Sequence, residues 1–423
     1  MRIAILGFGR EGKAVRKFLK KRKKTASISI LDRKTDPDYL KKLSRFDLIF
    51  RSPGVPYNLP EIQEAIKTGV RFSSATALFF EEVKRKKITV IGVTGTKGKG
   101  TTSTLLYRML KSEPKYKNRV FLVGNIGKPA IDLLPKLNRK SVIIFELSSF
   151  QLQDLKYSPA TTVMLDVFPD HLDSHQDLKE YLEAKSQISR HQKKTDRIFY
   201  LSGNKDSEQI AGKSKGRKIK INPSSANIFL DKNDLAEIRN RIKIPGEHNY
   251  KNAVMAASVA ASLEVPKKSI FRAVAVFRGT KYRLELIRTA GNIKFYNDSA
   301  STNPQTAAAA VKAFSEPKIL IAGGKDKNLD YAPLARALKN SNVRLVVLFG
   351  ENKNKIRLAL RGLSTPIKFA KTLKEATGLA LAGAKRENTE CAIVFSPASA
   401  SFDMFKNYVD RGKKFNGIVK TLR

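Results

Sequence analysis

A glycine-rich loop between an apolar strand and a helix constrains this chain more than any other feature. Residues 88–93 form a run with high β propensity, and residues 103–110 have the pattern of a helix. The loop between them contains Gly95, Thr96, Lys97, Gly98, Lys99, Gly100, Thr101 and Thr102. Backbone N–H groups of such a loop converge on phosphate oxygens, and the start of the helix adds positive potential. We therefore predict a nucleoside triphosphate site here rather than an ordinary surface turn.

The lysine and threonine residues of this loop can contact phosphate and metal, respectively. Lys99 is placed to reach the β- and γ-phosphates of ATP, and the hydroxyl of Thr101 or Thr102 can ligate Mg²⁺. All eight loop residues are therefore candidate ATP contacts, and Thr101 is the candidate metal ligand.

Composition favours a multidomain protein of a reducing compartment. At 423 residues the chain is long enough for roughly two to four domains. Cys391 is the only cysteine, which excludes an internal disulfide, and its apolar neighbours predict a buried core position. The sequence has no signal-peptide pattern at its start and no run near the ~20 apolar residues of a membrane helix. We expect a cytoplasmic protein, most simply a monomer, without a membrane span.

The charge balance is unusual but does not identify a partner. The chain has 81 Lys and Arg against 38 Asp and Glu, a formal net charge of +43. The densest basic patches, at 20–24, 84–87 and 213–220, are not interleaved with aromatic residues as single-strand binding surfaces are. A basic nucleic-acid-binding protein with a vestigial ATP site is therefore an alternative that the pattern disfavours.

Short apolar strands alternate with helical patterns along the whole chain, which predicts an α/β protein with parallel sheets. Composition and turn signals divide the chain into three segments, 1–86, 87–278 and 279–423. The first segment opens with Gly7, Gly9 and Gly12 in a GxGxxG turn, followed about 20 residues later by Asp32. This pattern predicts a Rossmann-like unit, and by itself it fits any diphosphate ligand, including a UDP-sugar.

The middle segment adds polar residues near its strand ends. Glu146 ends an apolar strand, where its carboxylate either binds Mg²⁺ or caps a nearby helix. His171 follows the next strand, and His175 has no predicted role. Ser174 is the predicted N-cap of the next helix, with Asp177 three residues later in a capping box. On that helix Lys185 shares a face with apolar residues, so it either extends its ammonium to solvent or points into the nucleotide site.

Nine short stretches, in order along essentially the whole chain, resemble the Mur ligase family. They are residues 95–102, 124–127, 146–152, 170–173, 184–185, 247–253, 297–299, 323–324 and 396–405. The last stretch resembles the branch of the family that adds D-glutamate. The resemblance implies an N-terminal Rossmann-like UDP-binding domain, a central P-loop ATPase α/β domain and a C-terminal Rossmann-like α/β domain that binds the amino acid.

The resemblance also implies a reaction of peptidoglycan biosynthesis that requires ATP and Mg²⁺. The carboxylate of UDP-N-acetylmuramoyl-L-alanine takes the γ-phosphate, and the amine of D-glutamate then attacks the acyl phosphate. The implied catalytic residues and metal ligands are Lys99, Thr101, Glu146, His171 and Lys185, with Lys185 carbamylated. The implied nucleotide contacts beyond the loop are Asn249, Asn252, Arg283 and Asp298.

The implied substrate contacts fall into two groups. Gly9, Arg10, Glu11, Asp32 and Arg33 match positions around the UDP moiety, and Asn125 matches one near the muramoyl group. The positions around D-glutamate match Thr302, Lys327, Ser401, Phe402 and Tyr408.

Three departures from the family pattern leave a second ligase interpretation open. Gly100 follows the loop lysine where Ser or Thr is common, Ala300 replaces a frequent lysine, and Tyr282 replaces a frequent histidine. The loop 98–101 is also similar to that of folylpolyglutamate synthases. A sister Mur ligase or folylpolyglutamate-type ligase that adds another amino acid is therefore the alternative.

Overall fold

The computed structural model describes residues 1–22, 27–124, 129–170, 175–339 and 341–422. These residues form three sheets in two compact units, Met1–Asn240 with Lys251–Ala273, and Arg241–Tyr250 with Val274–Arg423. The first two sheets belong to the first unit and the third sheet to the second. The predicted α/β class is confirmed, and the three domain boundaries stay a prediction. None of the described helices is both long and apolar enough to span a membrane.

The first sheet has four parallel strands in the order β2-β1-β3-β4. Its strands are β1 Ile3–Leu6, β2 Ile28–Leu31, β3 Leu48–Arg51 and β4 Arg71–Ser74. Its helices are α1 Arg10–Arg22, α2 Pro60–Lys67 and α3 Ala75–Arg85, with a 3₁₀ segment at Tyr39–Arg45. Helix α1 begins directly after the GxGxxG turn, as a Rossmann-like unit requires.

The second sheet has six parallel strands in the order β10-β9-β8-β5-β7-β6. The strands are β5 Thr89–Thr94, β6 Val120–Gly124, β7 Val142–Glu146, β8 Thr161–Met164, β9 Arg197–Leu201 and β10 Arg217–Ile221. The helices are α4 Lys99–Lys111, α5 Ser149–Leu152, α6 Leu178–Arg190, α7 Lys205–Gly212, α8 Lys232–Arg241, α9 Glu247–Ala261 and α10 Lys267–Ala275, with 3₁₀ segments at Pro114–Tyr116 and Ala130–Lys136.

Aromatic and charged contacts join the first two sheets. Phe79 and Phe80 of α3 pack on Phe145 of β7, with ring centroids 5.4 and 5.8 Å apart. The Nε of Arg51, at the end of β3, donates to Oδ2 of Asp154 at 3.0 Å, and both side chains are buried. Because a buried charge is costly without a partner, this pair fixes where the first sheet packs on the second.

The third sheet has six strands in the order β11-β12-β16-β13-β14-β15. The strands are β11 Glu285–Ala290, β12 Ile293–Asn297, β13 Lys318–Ala322, β14 Val343–Leu348, β15 Ile367–Phe369 and β16 Cys391–Phe395. The helices are α11 Pro304–Lys312, α12 Ala332–Lys339, α13 Lys353–Ala359, α14 Leu373–Ala384 and α15 Tyr408–Thr421. Cys391 is fully buried, as predicted.

Two details of the predicted elements are wrong. Strand β11 runs antiparallel to β12, because only Gly291 and Asn292 separate them and so short a connection cannot join parallel strands. The N-cap of α6 is Asp177, whose side chain accepts a hydrogen bond from the backbone N–H of Glu180 at 2.7 Å. The capping box built on Ser174 is therefore displaced by three residues, and Ser174 itself lies outside the described residues.

Candidate active site

The glycine-rich loop connects β5 to α4 and needs glycine at two positions. Gly98 is the N-cap of α4 with φ of +84°, and a Cβ added there would lie 2.3 Å from Oδ1 of Asn252. Gly95 has φ of +153°, and a Cβ there would lie 2.7 Å from Cβ of Leu165. Since side chains are excluded at both positions, the backbone is left open to an incoming phosphate.

Two lysine side chains converge on this loop. Nζ of Lys99 donates to the carbonyl oxygens of Gly95 and Thr96, both at 3.0 Å. Nζ of Lys185 reaches the same Gly95 carbonyl from α6, at 2.8 Å. Lys185 is only 2% exposed, so its ammonium does not extend to solvent, which excludes the first of the two predicted alternatives. The loop is thus contacted by lysine side chains from two different helices, and the ammonium of Lys99 suits a highly charged anion.

Burial gives Lys185 unusual acid–base properties. Desolvation, and then the nearby charge of Lys99, hold the pKa of Lys185 well below its ordinary value, while Asp170 acts in the opposite direction. Nζ of Lys185 also lies 4.7 Å from the ring centroid of Tyr181. A lysine with a lowered pKa is more readily neutral, and a neutral amine is nucleophilic.

Thr96 and Tyr181 fix the loop to the start of α6. The Thr96 hydroxyl lies 2.8 Å from the Tyr181 hydroxyl, donates to the carbonyl of Phe168 and accepts from its backbone N–H, both at 2.9 Å. Burial raises the pKa of Tyr181 to about 12, so this phenol remains protonated at neutral pH. The loop and the helix that carries Lys185 are therefore held together directly.

The described metal candidates are Thr101 and Thr102 in the first turn of α4 and Glu146 at the end of β7. Glu146 ends β7 and is 8% exposed. Oγ1 of Thr102 is fully buried and has no hydrogen-bond partner within the described residues, while Thr101 is partly exposed. A buried hydroxyl with an unused acceptor fits a divalent cation. The described part of the chain has no cluster of three His, Cys, Asp or Glu that could hold a metal, and His171 lies outside that part.

The GxGxxG turn of the first sheet is held by Asp32. The Asp32 carboxylate accepts from the backbone N–H of Phe8 at 2.5 Å and of Lys34 at 2.9 Å, and these bonds lower its pKa. A Cβ on Gly12 would lie 2.3 Å from the carbonyl oxygen of Gly7, so glycine permits this close packing. Gly9, Arg10 and Arg33 are exposed around the turn.

Glu11 occupies a different environment at the start of α1. Its Oε1 accepts from Nε2 of Gln151 at 3.3 Å, and burial raises its pKa above the ordinary value. This contact connects the GxGxxG turn to α5, just after Glu146. Asn125, the other candidate near the muramoyl group, lies outside the described residues.

In the second unit, Asp298 follows β12 and is fully enclosed. Its Oδ2 accepts from the Ser396 hydroxyl at 2.7 Å and its Oδ1 from the backbone N–H of Leu284 at 3.2 Å. Burial raises the pKa of Asp298 to about 6, against smaller opposing effects of these hydrogen bonds and of Arg283. Arg283 itself is exposed. Asn249 donates from Nδ2 to the carbonyl of Pro245 at 2.6 Å.

The candidate D-glutamate contacts differ in exposure. Phe402 is 64% exposed, and Nζ of Lys327 lies 5.8 Å from its ring centroid. Tyr408 begins α15 with its ring 6.5 Å from that of Tyr282. Ser401 is buried and Thr302 is partly exposed.

Sequence reasoning missed Arg411, whose side chain bonds to the loops before Thr302 and Ser401. This side chain is completely buried and donates to Oγ and the carbonyl of Ser299 at 3.1 and 2.9 Å, and to the carbonyls of Ser399 and Ala400 at 3.0 and 3.1 Å. The signal was its spacing of four residues from Phe415 and then Val419, which form the inner face of α15. Arginine on an inward face indicates a buried hydrogen-bonding role.

Comparison with known proteins identifies the family. Family models described as "Mur ligase middle domain" and "Mur ligase, glutamate ligase domain" match residues 93–260 and 282–398. The UDP-N-acetylmuramoylalanine--D-glutamate ligase of Acetivibrio thermocellus is 37% identical over 406 residues, which cover 91% of this chain and 84% of that protein. The chain belongs to the Mur ligase family.

Solved Mur ligases share the fold. The UDP-N-acetylmuramate-alanine ligase of Thermotoga maritima has a TM-score of 0.60 and 18% identity, covering 100% of this chain and 99% of its own. A MurF ligase from Thermotoga maritima in complex with ADP has a TM-score of 0.56 and 15% identity, covering 99% and 95%. At these identities the likeness concerns the fold alone. The two regions that match Mur ligase models include the loop 95–102, Lys185 and Asp298, while Ser401, Phe402 and Tyr408 follow them.

Proposed function

We propose that this Mur ligase uses ATP to join D-glutamate to UDP-N-acetylmuramoyl-L-alanine in peptidoglycan biosynthesis. The observation that carries the proposal is the convergence of Lys99 and Lys185 on the Gly95 carbonyl, beside a loop that is open to phosphate. The relatives that resemble this chain over most of its length carry the name of that ligase. A cytoplasmic location and a monomeric state stay predictions.

The first chemical step brings two anions together. The acceptor carboxylate attacks the γ-phosphorus of ATP, which forms the acyl phosphate and releases ADP. Positive charge near the γ-phosphate offsets the repulsion between the two anions, and Lys99 is placed to supply it. The amine of D-glutamate then attacks the acyl carbon, so that the amide bond forms and phosphate leaves.

Mg²⁺ is the proposed metal, because hydroxyl and carboxylate oxygens are among its preferred ligands. A hydroxyl of Thr101 or Thr102, the carboxylate of Glu146 and the imidazole of His171 would hold it, and the buried, unpartnered Oγ1 of Thr102 is the observation that supports this set. A bound Mg²⁺ neutralises charge on the phosphate oxygens.

Lys185 contributes to this site as a carbamate. Its lowered pKa makes the neutral amine available to attack CO₂, which yields a carbamate and releases one proton. The change converts a buried cation beside Lys99 into an anion that Lys99 stabilises. A carbamate can also orient a divalent cation, which a lysine ammonium cannot.

Substrate recognition is proposed on the loops of the first and third sheets. Gly9, Arg10, Glu11, Asp32, Arg33 and Asn125 are the proposed contacts to the UDP-muramoyl substrate. Thr302, Lys327, Ser401, Phe402 and Tyr408 are the proposed contacts to D-glutamate. The ammonium of Lys327 would pair with one carboxylate of the dicarboxylic amino acid, which a neutral amino acid cannot match.

An ADP-release assay tests the proposal. ADP should form only when ATP, UDP-N-acetylmuramoyl-L-alanine and D-glutamate are all present, and Lys99→Ala should lower the rate about 10²–10³-fold. Lys111→Ala is the matched control, because Lys111 is an exposed lysine at the other end of α4. A panel of amino acids belongs in the same assay. Turnover with another amino acid and none with D-glutamate would contradict the proposal and favour a sister Mur ligase or a folylpolyglutamate-type ligase.

A further inference from the structure

His175 is a fully buried histidine for which neither the sequence pattern nor the proposed reaction accounts. Its side chain is 0% exposed. Nδ1 lies 2.6 Å from Oε2 of Glu180, and Nε2 lies 2.9 Å from Oγ of Ser149. Both ring nitrogens therefore have partners, one on each of two different helices.

The imidazole is also held by aromatic packing. The ring of Phe150 stacks on it at 5.1 Å with an interplanar angle of 10°, and the ring of Tyr181 meets it at 5.2 Å and 73°. A side chain enclosed in this way has a single orientation. Its hydrogen bonds consequently have a fixed direction in space.

The chemistry of the Glu180 carboxylate sets the direction of one hydrogen bond. A carboxylate only accepts, so Nδ1 of His175 donates to it, while Nε2 shares a hydrogen bond with the Ser149 hydroxyl, which can donate or accept. The other oxygen of Glu180 accepts from Nε2 of Gln153, just past the end of α5, at 2.7 Å. Glu180 thus holds both the imidazole and the end of α5.

The two ends of this chain of hydrogen bonds lie close to two catalytic candidates. Ser149 is the first residue of α5, three residues after Glu146. Glu180 precedes Tyr181, whose hydroxyl binds Thr96 of the phosphate loop, and Lys185 follows one turn later on α6. Within the described residues His175 bonds to both segments, and the Gln153–Glu180 hydrogen bond is a second link between them.

We propose that His175 is a positioning residue that locks the loop carrying Glu146 to the helix carrying Lys185, through Ser149 and Glu180. The inference rests on the proposed function, which assigns Glu146 and Lys185 to the Mg²⁺–ATP site. Outer hydrogen-bond partners that orient metal ligands typically change metal affinity or activity 10–100-fold when removed. Such an effect is expected because His175 acts through its hydrogen bonds to Ser149 and Glu180.

Three variants test this role. Ser149→Ala removes only one end of the hydrogen-bond chain, and His175→Asn keeps a donor for Glu180 but loses the ring nitrogen that bonds to Ser149. Ser258→Ala is the matched control, because Ser258 is a fully buried serine of α9 whose hydroxyl accepts one hydrogen bond, from Asn227. For each variant, calorimetry measures the binding of a non-hydrolysable ATP analogue over a range of Mg²⁺ concentrations, thermal unfolding gives the melting temperature, and ADP release gives kcat and KM.

Ser149→Ala and His175→Asn should lower kcat about 10-fold or more and raise several-fold the Mg²⁺ concentration needed for analogue binding. Ser258→Ala should leave both unchanged. The proposal is overturned if the first two variants differ from Ser258→Ala only in melting temperature. If the wild-type protein releases no ADP with any amino acid, the ligase proposal fails, while the calorimetric comparison still decides the role of His175.

Discussion

Lys185 in the first unit and Arg411 in the second are both buried basic side chains, but they differ in the number of hydrogen bonds that they donate. Arg411 donates four hydrogen bonds to three carbonyls and one hydroxyl. Lys185 makes one, to Gly95, within the described residues. Burial lowers the pKa of both, to about 10 for Arg411. The guanidinium has its hydrogen-bonding capacity largely used and remains charged, whereas the amine retains unused capacity and gives up its proton readily.

This difference indicates a stability role for Arg411 and a chemical role for Lys185. A buried cation that satisfies several carbonyls holds loops together, and its removal leaves those carbonyls unpaired. A buried cation with few partners costs stability, and such costs are tolerated at functional sites. Four substitutions test this comparison.

The largest effect is expected for Lys185→Ala. The variant should lose ADP release by about 10²–10³-fold, because it removes the amine of the proposed carbamate. Small carboxylates such as acetate should restore part of the activity by occupying the vacated space. The free energy of unfolding, measured in urea, should change little because a costly buried ammonium disappears. Full activity of Lys185→Ala would contradict its chemical role.

Arg411→Met should show the opposite behaviour. Three carbonyl oxygens, of Ser299, Ser399 and Ala400, lose their donor, which should reduce the free energy of unfolding by about 3–5 kcal/mol. Urea unfolding measures the change, and the KM for D-glutamate should rise because the loop before Ser401 loses its support. Lys413→Met is the control, since Lys413 is exposed on the same helix. Equal stability of the two variants would remove the distinction between the two cations.

Asp298→Asn extends the comparison to a buried anion. The folded pKa of about 6 lies above the ordinary 3.8, so the folded state binds this proton more tightly than the unfolded chain does. The contribution of Asp298 to stability is therefore fully present below about pH 4 and is lost as the pH rises through about 6. The wild-type free energy of unfolding, relative to Asp298→Asn, should fall by about 2–3 kcal/mol between pH 4 and 7. Parallel pH curves for the two proteins would refute the raised pKa.

The smallest effect is expected for Gly98→Ala. A φ of +84° costs a residue with a side chain about 1–2 kcal/mol, and the added Cβ would displace the amide of Asn252. The KM for ATP should rise about 10-fold. Gly212→Ala is the control, because a Cβ at Gly212 meets nothing within 4 Å. If both variants keep the wild-type KM, the shape of the loop does not limit nucleotide binding.

The sequence predicted the elements whose signals are local. The apolar run at residues 88–93 and the one that ends at Glu146 located β5 and β7, because fully buried parallel strands are almost continuously apolar. It did not locate β4, β9, β10 and β11, whose residues include exposed or polar positions such as Arg71, Lys218 and Glu285. The antiparallel pairing of β11 and β12 was also missed, since pairing direction depends on the connection between strands rather than on their composition.

The candidate site also contains features that the sequence predicted and features that it did not. The glycine-rich loop is a continuous stretch of sequence, and Lys185 stands out as a charge on an apolar helical face, so both could be predicted. The hydrogen-bond partners of His175 and Arg411 could not, because they include residues distant in sequence, such as Ser149 for His175 and Ser299 for Arg411. Hydrogen bonds over such separations exist only once the strands and helices have packed.

The order of residues alone determined the α/β class, the glycine-rich loop and the place of Lys185 on an apolar helix face, because each follows from backbone geometry over a few consecutive residues. Tertiary structure decided which groups surround those residues. The closeness of Lys185 to Lys99, the enclosure of Asp298 and the two-sided hydrogen bonding of His175 arise where separate strands and helices meet. Desolvation and electrostatic interaction depend on distance in space, and a linear sequence does not contain that distance.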